Sequence, residues 1–341
     1  MFIANKIVLN NILYFSICDN RKKMSNQDLL LGNIRKHLPK NSSLIDEIAS
    51  VLQISYDASH RRVSCKSKFS IEETVKLCQH YSISMDNIFK GDTNKVIAEK
   101  TKEIRSLEDL ALYFKQSAQN LKPYAANSKM YYSSKDIPLF YTIGGTLLSK
   151  FKLYVWLNLL VGTENQENFE KFTLDQSLLE YSSQLQSVYE NAEVHEIWND
   201  TTINSTLQQI LYFFESGLLS HSNAVLLYED LKKLLQKAEE KSSKNTTGYH
   251  LYYNELLILN NNVLMSSPEK KSLFIPYTML GYFITEDEST CRNASEYFIH
   301  QIKNSKSLNL SGTRDRKIFF GRGHQKIDFY LQKINKLDFE I

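Results

Sequence analysis

The chain has 341 residues, of which 42% are hydrophobic and 23% charged, with a net charge of +3. The length suggests two domains, or one small and one of ordinary size, and the composition is that of a soluble globular protein rather than a disordered one. So small a net charge excludes a general polycation, so any affinity for nucleic acid must come from a local patch.

Residues 1–23 are apolar but interrupted by Asn5, Lys6, Asn10 and Asn11, and the basic run follows the apolar stretch. A secretory signal has the opposite order, and the stretch is short for a transmembrane helix. The preferred reading is that translation starts at Met24 and that 1–23 are a mis-called extension; an N-terminal anchor is the alternative. Asp28 to Leu38 reads as a first helix stopped by Pro39. Ser43 then caps a helix with Leu44, Ile45, Ile48, Ala49 and Leu52 on one face. Gln53-Ile54-Ser55 breaks it, and Ser55 caps a second helix through Val63. That helix presents Tyr56, Asp57, His60 and Arg61 on its polar side, and Arg62, Lys66 and Lys68 follow without an intervening acid. Ser70 caps a further helix, whose Ile71, Val75, Leu77, Cys78 and Tyr81 make an apolar stripe, and a short helix starts at Ser84.

Two helices joined by a tight turn, the second polar and followed by positive charge, are the parts of a helix-turn-helix, which lays its second helix in the major groove. A plain helical hairpin with a solvated basic loop is the competing reading. The succession of five short helices over 25–90 resembles the lambda-repressor-like, or XRE-like, DNA-binding fold. Ser59-His60-Arg61-Arg62-Val63 followed by Ser70-Ile71-Glu72-Glu73 is similar to a bacterial transcription-regulator family with S-A-Y-R-R-I and Ser-Leu-Glu-Glu at these places. His60 replaces the usual aromatic, and Gln53 and Cys65 stand where that pattern has glycine. A weaker likeness, SSKDIPLF at 133–140, extends into the rest of the chain. The resemblance implies transcription regulation; spacing and charge imply DNA binding only. The expected contacts with double-stranded DNA are Ser55, Tyr56, Asp57, His60 and Arg61 toward bases, and Arg62, Lys66 and Lys68 toward phosphates.

Gly91-Asp92-Thr93 marks the edge of this 24–92 domain, 93–105 reads as a linker, and 106–341 as the second domain. There a helix from Ser106 carries Leu107, Ala111, Phe114, Ala118 and Leu121 and ends before Pro123, a stripe suited to a dimer contact or to the domain's own core. Residues 147–162 form a strongly apolar core helix, and 172–198 a long amphipathic one capped by Thr173. Helices over 205–219 and 222–244 follow, then a small antiparallel meander within 249–285 and two terminal helices. The expected fold class is therefore mainly α, α+β overall.

Chemistry-bearing motifs are sparse. His195-Glu196-Ile197-Trp198-Asn199 begins like a helical zinc-protease site, but Asn199 replaces the second histidine. Cys18, Cys65, Cys78 and Cys291 form no C-x-x-C pair and read as reduced thiols. GRGHQK at 321–326 lacks the spacing of a phosphate loop, and Ser311 to Arg314 reads as an N-cap turn before an anion site. The resulting expectation is a cytoplasmic regulator, not an enzyme, with no cofactor, no metal and no membrane association. Its second domain dimerises, through Leu107–Leu121 and the helix 151–160, or senses a small-molecule or protein effector. A protein–protein adaptor with a helical head is the rival.

Overall fold

Serine caps set the helices of the first unit. Ser25 and Asp28 form a reciprocal capping box opening α1 (Asn26–His37), and Ser43 caps α2 (Leu44–Leu52). Ser55 caps α3 (Tyr56–Val63), and Ser70 with Glu73 forms a second box at the start of α4 (Ile71–His80). A last turn, α5, spans Met85–Ile88. These assignments come from a computed structural model that describes residues 25–39, 42–88, 95–124, 127–162, 167–243, 248–309 and 313–338. The chain divides into units Met1–Ile97 and Ala98–Ile341. The proposed extension 1–23 and the edge at Gly91-Asp92-Thr93 lie outside the described residues.

The core of the first unit comprises Leu30, Leu31 and Ile34 of α1, Leu44, Ile48 and Leu52 of α2, Leu77 and Cys78 of α4, and Ile88. Between α2 and α3 the backbone turns at Gln53, which is left-handed (φ 56°, ψ 47°), and Ile54 N–H bonds Ala49 O at 3.0 Å. Ile71 and Val75, expected in the apolar stripe of α4, face outward instead. The buried face of that helix is narrower because Leu77 and Cys78 alone meet the core.

The second unit is built on an eight-stranded mixed sheet, in order β1-β7-β6-β5-β2-β3-β4-β8 among the described residues. Its centre is parallel: β2 (Lys129–Ser133), β3 (Glu193–Trp198) and β4 (Tyr249–Tyr253). Parallel neighbours need long crossovers. After α6 (Leu107–Leu121), α7 (Leu147–Val161) and α8 (Gln176–Asn191) carry the chain from β2 to β3. Then α9 (Asn204–Glu215) and α10 (His221–Ser243) carry it to β4. An antiparallel meander of β5 (Val263–Ser266), β6 (Lys271–Pro276) and β7 (Tyr282–Thr285) extends the sheet beyond β2. The two-residue strands β1 (Glu99–Lys100) and β8 (Lys306–Ser307) pair with β7 and β4. Along β3 the side chains alternate: Val194 and Trp198 enter the main core, while Ile197 joins a smaller one beneath α11 (Glu288–Lys303). The last helix, α12 (Thr313–Asp338), packs on α10, where a Cβ on Gly323 would come within 2.8 Å of Leu235.

Several sequence expectations change here. The helix read over 172–198 ends at Asn191, is capped by Asp175 rather than Thr173, and gives way to β3. The strand wins because parallel partners on both sides satisfy its backbone. The sheet is larger than a meander, and Tyr249–Tyr253 is one of its parallel strands. Part of the supposed linker belongs to the second unit: Glu99 and Lys100 pair with β7, and Ile104 is buried. Ala111, Phe114, Ala118 and Leu121 of α6, and Phe151 through Trp156 of α7, are buried in the unit's own core. Those faces are therefore not available as dimer contacts. No described helix is long and apolar enough to cross a membrane.

Candidate nucleic-acid interface

Helix α3 is held by its inner side and bare on its outer side. Ser59 is fully buried and donates its hydroxyl to Ile45 O of α2 at 2.7 Å. A small polar side chain at this position lets the helices come close, and the Ile45 carbonyl satisfies its buried hydroxyl. On the outer side Tyr56, Asp57, His60 and Arg61 are exposed, at the i, i+3 and i+4 spacings that make neighbours on a helix surface. The Tyr56 and His60 rings stack one turn apart, with centroids at 6.5 Å. Ser55 sits at the end of this face, its hydroxyl accepting from Ala58 N–H at 3.3 Å.

Arg62 turns the other way. Its guanidinium forks onto Glu73 of α4, with Nε–Oε2 at 3.0 Å and Nη2–Oε1 at 2.7 Å, and Nη1 donates to Ala58 O at 3.1 Å. The same fork holds the Glu73 carboxyl below the usual range. Arg62 thus braces α3 against α4, a different position from the outward phosphate contact expected from sequence. Lys66 and Lys68 are exposed on the following loop. The loop curls back so that Lys66 N–H and Ser67 N–H both bond Arg61 O, and Cys65 takes the left-handed conformation (φ 57°).

One residue missed by sequence reasoning fixes this loop. Gln27 of α1 donates Nε2 to Arg62 O at 2.7 Å and Ser67 O at 2.9 Å, and accepts from Phe69 N–H at 3.3 Å. A single glutamine among the polar residues of a helix start carries no sequence signal for that role.

The second unit holds two polar clusters that the sequence also concealed, both from β3. Glu196 is completely buried. Tyr189 Oη donates to it at 2.7 Å and Trp198 Nε1 at 2.9 Å, with the Tyr141 and Tyr249 hydroxyls at 3.2 and 3.3 Å. The Lys241 ammonium lies 5.7–5.8 Å from the centroids of the three tyrosine rings. Burial pushes the Glu196 carboxyl up to about 7, against the pull of those hydrogen bonds and of Lys241. On the opposite face, Glu193, His195 and His250 place one ligand atom each within 4.8 Å of one another, a donor set suited to a transition metal. A cation already stands there: Lys129 Nζ is 3.0 Å from Glu193 Oε1, which also meets His195 Nε2 at 2.9 Å. Burial lowers the His195 pKa, and Tyr252 Oη lies 3.3 Å from its Nδ1.

No protein-family model, curated protein or solved structure matches the chain.

Proposed function

We propose that the chain is a sequence-specific DNA-binding transcriptional regulator that acts in the cytoplasm, with α3 as the helix that enters the major groove. The observation that carries this reading is the asymmetry of α3. Its inner side is fixed by Ser59, Arg62 and the Gln27-pinned loop, and its outer side offers Tyr56, Asp57, His60 and Arg61 with no other described element of the first unit covering them. A rigid helix with polar side chains at its exposed surface is what base-edge readout requires. Arg61 is the residue assigned to guanine, and Lys66 and Lys68 are assigned to phosphates. Arg62 acts through Glu73, by holding α3 in place. One such head reads few base pairs, so the regulator works as a homodimer on an inverted repeat, using a surface other than the buried α6 and α7 faces.

Selected-site binding on parent and Arg61→Ala is the direct test. A bidentate arginine discriminates by about 1–3 kcal/mol, so the variant should lose preference at one position of each half-site. An unchanged consensus removes Arg61 from the readout. Lys66→Ala with Lys68→Ala should flatten the slope of log affinity against log salt by up to about 2, at roughly 0.9 per phosphate. The adaptor reading draws on the exposed Ile71 and Val75 of α4, and failure of the parent to shift any duplex at low salt would favour it.

A further inference from the structure

Between the sheet and helices α6 and α8 lies a cavity of about 350 Å³. Leu121, Leu185, Val263 and Phe274 give it apolar walls. Tyr113, Tyr132 and Tyr282 also line it. Burial raises the pKa of all three phenols, that of Tyr282 to about 12, so they stand as neutral hydroxyls in an apolar chamber. The hydroxyls of Tyr132 and Tyr282 neighbour each other, as do those of Tyr113 and Ser117. An apolar chamber with a few convergent polar groups is the usual form of a small-molecule site. Its size narrows the occupant: a cavity of about 150 Å³ admits one benzene ring, and this one has roughly twice that volume.

The rim adds a second observation. Glu99 to Lys102 line the cavity, and they are the segment by which the chain enters the second unit. Thr101 stitches this segment to a cavity tyrosine: its N–H bonds Tyr282 O at 3.0 Å, and its hydroxyl accepts from Tyr282 N–H at 2.9 Å. A molecule packed against Tyr282 therefore bears on the seat of β1.

We propose that this cavity binds a two-ring aromatic molecule carrying one hydrogen-bonding oxygen, which the tyrosine hydroxyls receive, and that its occupancy tightens the hold of β1 on β7. Ligand binding is measured on the full chain without DNA, so its outcome is separate from that of the operator tests. Calorimetry with 2-naphthol and with naphthalene is the experiment, on the parent, Ser117→Phe, Asn120→Trp and Tyr132→Phe. Phenylalanine at 117 fills the chamber from α6, and tryptophan at the exposed position 120 obstructs its mouth with little demand on folding. The parent should bind 2-naphthol at least tenfold more tightly than naphthalene, and both filling variants should lose it. Tyr132→Phe should bring 2-naphthol to the affinity of naphthalene. Amide exchange at Thr101 should slow several-fold on binding. Absence of binding at millimolar 2-naphthol, equal binding of the two compounds, or full affinity in Asn120→Trp would overturn the site; unchanged exchange at Thr101 would overturn its coupling to β1.

Discussion

Replacing Glu196 by glutamine should change how the second unit's stability depends on pH. The carboxyl is buried beneath Tyr141, Tyr189 and Tyr249, and its pKa stands at about 7 against an ordinary 4.5. With the folded value raised, the folded state keeps its proton after the unfolded chain has released it. Stability from this group is fully present below about 4.5 and is lost as pH rises through about 7. At about 1.36 kcal/mol for each pH unit, the gap between 4.5 and about 7 amounts to about 3 kcal/mol. Glu196→Gln has no such proton to lose, and any mismatch of its amide with the four donors is independent of pH. The difference in unfolding free energy, variant minus parent, should therefore grow by about 3 kcal/mol from pH 4.5 to pH 8. Urea unfolding followed by tryptophan fluorescence measures this cleanly, because Trp156 and Trp198 are the chain's 2 tryptophans and both lie in the second unit. A difference that stays flat across that range would show that the carboxyl is not held above its ordinary value, and the reasoning from burial would fail.

Two further perturbations address the first unit. A double-mutant cycle on Arg62→Ala and Glu73→Ala should give a coupling of about 1 kcal/mol in the stability of α3 and α4 by native-state hydrogen exchange, since the pair is only partly shielded from solvent; a coupling near zero would leave Arg62 free for DNA. Gln53→Gly relieves a left-handed side chain at φ 56°. The relief of about 1–2 kcal/mol exceeds glycine's entropic cost of roughly 0.5–1 kcal/mol, so the α2–α3 turn should gain stability; faster exchange there would contradict it.

The helical head was legible in the sequence because its information is local. Ser43, Ser55 and Ser70 each stand at a helix cap, with the apolar period plainest after Ser43, and Gln53 and Cys65 are both left-handed, a conformation that glycine takes most easily. The direction of Arg62 was not legible, since its partner Glu73 lies on another helix and also serves a capping box. In the second unit the parallel strands escaped notice for a similar reason. β2 is five residues long and draws its partners from positions 193–197 and 263–266. β3 carries Glu193, His195 and Glu196, so its hydropathy does not read as the apolar run of a buried parallel strand. The tyrosines around Glu196 come from positions 141, 189 and 249, which only the crossovers bring together.

The two-residue strands at the sheet's margins bear on how the protein is to be handled. Exposed strand edges template pairing between copies, and short marginal strands are one way of blunting them. Here β1 covers the outer side of Tyr282–Thr285, a stretch whose aromatic and β-branched residues suit such pairing. A fragment begun at Ser106, where the helical period starts, would remove that cover along with Thr101 and its two bonds to Tyr282. It would expose the unpaired backbone of β7 and self-associate through it. A fragment begun before Ala98 keeps the margin closed, so the eight residues 98–105, which resemble a tether, are what keeps this edge of the sheet from pairing with a second copy.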